Sequence, residues 1–231
     1  MIKKIKYGNS IIQYDLIKSK RRKTSQITVT IQGVTVRIPE TKTAEDVKKM
    51  LQDRVQWIFK KQLHFAKQKK PTFSTKSTLP VLGKDYKIQI ISTSTEKTRL
   101  VGDTIQFHIP QKRHKTEQIK AQYHTYLEKR ANTLFPKLVQ ELAKKVGTSP
   151  TKINIKQLKD RWGSATQDGE INLNYSLMKA PRNVIKYVIL HELCHFKIKE
   201  HSPHFWNLVG QQMPEYEQAV KWLEKNGIRI S

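Results

Sequence analysis

Four of the chain's eight histidines fall between positions 191 and 204, and two of them bracket the run His191-Glu192-Leu193-Cys194-His195. On a helix, side chains four apart stack on one face with Cβ atoms about 5–6 Å apart. Two imidazoles placed in this way can both reach one ion at about 2.0–2.1 Å. Glu192, one residue on, is swung about 100° round the axis by the 3.6-residue turn and does not easily join them as a ligand. It can reach a water bound to the ion, take its proton and return it later to a leaving amine. The chemistry on offer is metal-assisted hydrolysis, with His191 and His195 as ligands and Glu192 as the base.

A catalytic zinc takes three protein ligands and keeps one open position. Glu200, His201 and His204 are the candidates for the third. His201 stands first, because Lys199 and Glu200 can leave the metal helix while Ser202-Pro203 starts the next one and fixes His201 in the loop between. His204 reads as a surface or supporting histidine inside that next helix. The spacing His-x3-His-x5-His is shared with metzincins, but those carry glycine where this chain has Ile198, so a different path is expected here. Cys194 reads as a small buried residue. As a nucleophile paired with histidine it would leave Glu192 and the four-residue histidine spacing unexplained.

The elements that must position these residues follow from patterning. Pro181 opens a helix through Val184, Val188, His191 and His195, and its apolar run Tyr187-Val188-Ile189-Leu190 suits a buried helix with one polar edge. Ile153–Ile155 and Glu170–Asn174 read as short strands around a turn at Arg161-Trp162-Gly163-Ser164. The strand near Glu170–Asn174 is a candidate edge for pairing with an extended substrate, with Asn172 or Asn174 as polar supports. The alternative is that Trp162 and these asparagines lock a turn against the helix. Pro214 breaks the chain before a last helix, for which Gly227 is the expected cap.

Upstream, Ile11–Tyr14, Ile27–Ile31 and Val34–Ile38 alternate with the period of strands, with a turn at Gln32-Gly33 and a stop at Pro39. Thr43 and Asp46 then cap a helix carrying Val47, Met50, Leu51, Val55, Ile58 and Phe59. Lys67 to Thr78 reads as an exposed connector. A second β group (Tyr86–Ile91, Thr98–Val101, Ile105–Ile109, with a turn at Gly102-Asp103) precedes one long amphipathic helix or two over 115–146. Pro136 implies a kink or break there, and Gly147 a C-cap. Each β group precedes a helix, yet their residues do not align into a repeat.

The 231 residues fit one large domain or two modest ones. One cysteine excludes a disulfide framework and any zinc site built on several thiolates. No apolar run approaches the roughly 20 residues that span a bilayer, and no apolar stretch follows the basic start, so a reduced, cytoplasmic setting is expected. Forty-four Lys and Arg against nineteen Asp and Glu give +25, graded along the chain: 18 basic and 5 acidic residues in 1–70, 14 and 6 in 71–150, 12 and 8 in 151–231. The gradient suggests an N-terminal electropositive face for nucleic acid or another polyanion, against the blander account of solubility.

The residues Arg161-Trp162-Gly163-Ser164, Ile171–Asn174, Ala180-Pro181, Tyr187-Val188, His191–His195 and His201-Ser202, followed by Phe205-Trp206, together resemble the YgjP-like metallopeptidase family, a relative of the SprT-like and WLM proteases. Arg21–Lys23, Val34–Pro39, Trp57-Ile58 and Leu82–Tyr86 extend the likeness over most of the chain. The resemblance implies a zinc-dependent peptidase with His191, His195 and His201 as ligands, Glu192 as general base and a peptide or protein as substrate. The family's usual cysteine after Arg-Trp-Gly-Ser is Ala165 here. The expected fold is α+β, with a basic β-rich region over 1–111 and a zincin-like domain over 112–231 bearing the His-Glu-x-x-His helix. The rival reading is a nucleic-acid-binding protein, or a protease recruited to nucleic acid, whose zinc is structural or latent; the lone cysteine speaks against a structural zinc.

Overall fold

A computed structural model describes residues 2–7, 10–30, 33–67, 73–110, 116–159 and 161–230. The turn expected at Gln32-Gly33 lies in part outside the described residues, as do residues 68–72 of the connector expected over Lys67–Thr78. The chain forms two compact units, Met1–Lys70 and Pro71–Ser231.

In the first unit, strands β1 (Ile2–Tyr7), β2 (Ser10–Ser19), β3 (Gln26–Thr30) and β4 (Gly33–Pro39) form one sheet in the order β1-β2-β4-β3. Helix α1 (Ala44–Lys67) follows. Its start is a reciprocal cap: Thr43 N–H donates to the Asp46 carboxylate at 3.0 Å, and Asp46 N–H donates to Thr43 Oγ1 at 3.1 Å. Ile12, Tyr14, Val34, Val36 and Ile38 alternate onto one face of the sheet, where they meet Val47, Leu51 and Ile58 of α1 in a core of their own.

The second unit begins with the same plan. Strands β5 (Thr78–Val81), β6 (Lys84–Ser92), β7 (Lys97–Val101) and β8 (Thr104–Ile109) order as β5-β6-β8-β7, and helix α2 (Thr116–Val146) follows. In both sheets the outer pairs are antiparallel and the central pair is parallel. The register agrees residue for residue. Hairpin-closing pairs Tyr7–Ser10 and Thr30–Gly33 match Val81–Lys84 and Val101–Thr104, and Tyr14 beside Val34 matches Ile88 beside Ile105. Buried Val36 and Ile38 then correspond to buried Phe107 and Ile109, and both strands run into a proline, Pro39 and Pro110. The chain therefore carries a ββββα repeat, which the unlike side chains conceal from direct alignment.

Helix α2 runs unbroken through Pro136 and ends at Gly147, whose φ of 70° and the Thr148 N–H to Ala143 O bond make the expected C-cap. Beyond it, β9 (Lys152–Lys156), β10 (Gly163–Ala165) and β11 (Glu170–Asn174) form a small sheet, followed by a 3-10 turn (Tyr175–Lys179) and helices α3 (Arg182–Cys194), α4 (Pro203–Gln212) and α5 (Tyr216–Ile230). Gly227 lies inside α5, where it faces Trp162, and is not a cap.

The division expected at 111/112 is corrected to 70/71. Leu79, Ile88, Ile105 and Phe107 of the second sheet share one continuous core with α2, the 3-10 turn and α3. Main-chain bonds tie the same sheet to the approach of α3: Leu82 N–H donates to Met178 O at 2.7 Å and Gly83 N–H to Lys179 O at 3.2 Å. A Cβ on Gly83 would stand 2.7 Å from the Pro181 ring, so this contact requires glycine.

Candidate metal centre

Helix α3 is almost wholly buried, with Val184, Ile185, Val188, Ile189, Leu190, Leu193 and Cys194 in the core. His195 is its C-cap but keeps helical angles (φ −65°, ψ −18°), so the four-residue stagger from His191 survives the helix end. His195 Nε2 lies 3.2 Å from His191 Nε2. His201 Nε2, delivered by the loop before α4, lies 2.9 Å from the same atom. The ligand atoms of all three lie within 4.8 Å of one another, the one such group among the described residues.

Phe205 explains why the rings converge. Ser202 caps α4, its hydroxyl accepting from Phe205 N–H at 3.4 Å, with Pro203 as the first helical residue. That start sets the fully buried Phe205 ring 4.9, 4.6 and 4.9 Å from the rings of His191, His195 and His201. The far nitrogens are supported as well. His195 Nδ1 lies 3.1 Å from the carbonyl of Ile198, and Tyr187 Oη stands 3.5 Å from His191 Nδ1. Such contacts turn Nε2 inward and free its lone pair.

Glu192 is 8% exposed and lies against β10. A Cβ added to Gly163 would come within 2.8 Å of its Cγ and 3.0 Å of its Oε1. Glycine there leaves the room that the carboxylate fills. Burial pushes the carboxyl up to about 7, opposed by the Ala165 N–H bond and by the charge of Arg161. Burial, then repulsion from His195 and His201, holds the His191 imidazole down to about 3, so it is neutral at pH 7. His201 is lowered by the same two causes, burial first and then His195.

Three convergent imidazole nitrogens, with their second nitrogens supported on two of the rings, fit a divalent transition metal. Ligand bonds of about 2.0–2.1 Å in a tetrahedron set neighbouring nitrogens about 3.3 Å apart, near the two separations seen here. Glu200 and His204 are exposed and lie outside the cluster. Cys194 is fully buried, and burial pushes its thiol up to about 11, far from a nucleophile's range.

A family model of the YgjP-like metallopeptidase domain matches residues 23–226. The chain belongs to the YgjP-like metallopeptidase family. It is a metal-dependent peptidase. Two solved structures of metallopeptidase zymogens are similar to this YgjP-like chain over part of its length. Abylysin of Pyrococcus abyssi is 23% identical, over 37% of this chain and 85% of that one, with a TM-score of 0.34. Jannalysin of Methanocaldococcus jannaschii is 26% identical, over 39% and 88%, with a TM-score of 0.35. No curated protein matches the chain.

The YgjP-like motif Arg161-Trp162-Gly163-Ser164 does more than turn the chain, since Gly163 and Ala165 contact Glu192 directly. The expected edge at Glu170–Asn174 is corrected: β11 is the middle strand, between β10 and β9. Its asparagines are structural. Asn174 donates to Leu158 O and Arg161 O and accepts from Ser176 N–H, while Asn172 donates to Ser164 Oγ and accepts from Asn154. Phe205, Tyr187 and Gly163 were not legible as parts of the site from spacing. Only the placement of Ser202-Pro203 just before Phe205 hinted at one of them.

Proposed function

We propose that His191, His195 and His201 hold a zinc ion and that Glu192 is the general base of peptide-bond hydrolysis, in a zincin-like C-terminal unit. What carries the reading is the meeting of three imidazole nitrogens beside one buried carboxylate. When bound, the ion lowers the pKa of water and polarises a carbonyl. Glu192, poised near neutrality, takes a proton from water, holds it away from solvent and returns it to the departing amine. His191, kept neutral by burial, remains a ligand across the working pH range.

Substrate would pair along β10. The flanking bonds Asn174 N–H to Trp162 O and Thr166 N–H to Glu170 O fix the alternation, so the main-chain groups of Gly163 and Ala165 face away from β11. Glu192 takes the Ala165 N–H, leaving the rest of that edge to an extended peptide. Ala165 thus meets the base through its backbone, a contact independent of its departure from the family's cysteine.

The test is metal analysis with a peptide-library digest of wild type and Glu192→Gln. Loss of cleavage by about 10²–10⁴-fold with zinc retained is the expected result. Equal cleavage by both proteins would overturn the assignment, as would a His201→Ala variant that binds zinc unchanged. The nucleic-acid reading rests on the net charge and its N-terminal gradient, including the basic run Lys18–Lys23, and no feature among the described residues adds to it. No helix among the described residues is long and apolar enough to cross a membrane.

A further inference from the structure

Helix α4 has a feature that the metal centre does not use. Trp206 and Gly210, four residues apart, stand with Asn207, Gln211 and Tyr216 around an open groove of about 460 Å³. The Trp206 ring is 5.6 Å from His201 and 5.8 Å from His191, and it stacks on Tyr216 at 5.7 Å. The Trp206 wall of the groove thus packs beside the histidine cluster, and the groove runs along α4. Its wall is aromatic and its rim is neutral amide, with no charged side chain lining it.

Gly210 is the informative residue. Glycine inside a helix costs about 1 kcal/mol relative to alanine. Here neither a positive φ nor a close neighbour demands it, because an added Cβ would meet only Tyr216 Cε1 at 3.7 Å, an ordinary contact. What the missing side chain leaves is space beside an aromatic wall.

We propose that this groove is a side-chain pocket of the peptidase, taking an aromatic or large aliphatic residue within about two positions of the bond that is cut. The inference rests on the reading of the histidine cluster as the metal centre. An extended peptide advances about 3.3 Å per residue, so a wall 5.6 Å from His201 serves a residue next to the reacting carbonyl or one beyond it. Neutral lining disfavours charged side chains there, which would lose water without gaining a partner.

The test separates binding from turnover. Zinc-loaded Glu192→Gln is titrated with two fluorescent uncharged decapeptides of Ala, Ser and Gly, one with a central phenylalanine and one with alanine in its place. The phenylalanine peptide should bind about tenfold tighter. Adding Gly210→Leu should reduce that ratio to within about twofold while leaving the alanine peptide and the zinc content unchanged. Gln211→Glu, on the exposed rim, gives a readout independent of packing: a lysine in place of the phenylalanine should then bind about threefold better than it does to Glu192→Gln alone. Equal affinity for the first two peptides, a ratio that survives Gly210→Leu, or no gain for lysine would each overturn the pocket. Wild type that binds selectively but cuts neither peptide would overturn the hydrolytic reading and leave the pocket standing.

Discussion

The two copies of the ββββα plan begin alike and end differently. On α1 and α2 the fourth, eighth and twelfth residues are Val47, Leu51 and Val55, and Ile119, Tyr123 and Leu127, all packed into their own copy's core. After that the helices diverge. Helix α2 is seven residues longer (31 against 24) and adds Phe135, Leu138, Val139 and Leu142, which join the core that holds α3. Among the described residues the first copy closes a core of eight buried side chains; the second is the foundation of the candidate metal centre. The same strand register can thus finish a small unit or, with one more apolar stripe on its helix, start a larger one.

Matched truncations test that contrast most strongly. Phe107→Ala and Val36→Ala fall at corresponding, fully buried positions. Phe107→Ala should cost about 3–5 kcal/mol and weaken zinc retention, because its core reaches α3. Val36→Ala should cost about 2 kcal/mol with zinc affinity unchanged. Chemical denaturation and zinc competition measure both, and an equal loss of zinc would show that the copies are not energetically separate.

Next in size is Lys179, 3% exposed, on the turn against which the second copy's hairpin docks. Burial pulls its ammonium down to about 8 from 10.5. A lysine lowered in the fold costs stability wherever it is charged in both states, fully below pH 8, and the cost vanishes as pH rises past 10.5. Lys179→Met should therefore raise stability by up to about 3 kcal/mol at pH 7, with the gain shrinking towards pH 10. Melting curves at the two pH values check the sign.

Glycine against glycine gives a smaller and more specific effect. Gly163→Ala should displace Glu192 and lower kcat/KM about 100-fold with zinc content and fold retained. Gly33→Ala in the first copy meets nothing within 4 Å, so only its φ of 138° is strained; it should cost about 1 kcal/mol and leave kcat/KM unchanged. Smallest of all, Thr43→Ala removes the cap of α1 and should cost about 1 kcal/mol, read as a small drop in melting temperature at constant activity.

The convergence of the histidines was legible because helical stagger is local: His191 and His195 need only four residues of chain to be brought together. His201 was legible because Ser202-Pro203 marks a helix start. The strands around Val36 and Phe107 were legible from alternation, but the repeat was not. Register is set by hairpin length and pairing, and valine and phenylalanine fill the same place without looking alike. The boundary at 111/112 misled for a related reason: strands give way to helix there, while the core, which takes in Phe107 together with residues of α3, continues across it. Likewise no spacing rule says that β11 is flanked on both sides, since strand order depends on the crossover from β9.

The gap at Gly163 constrains how this enzyme could be retuned. Because the Glu192 carboxylate occupies the volume a side chain would need, β10 cannot be redecorated at that point without moving the proposed base. On that proposal, selectivity is more readily altered along α4, where a Cβ at position 210 meets only Tyr216 at an ordinary 3.7 Å.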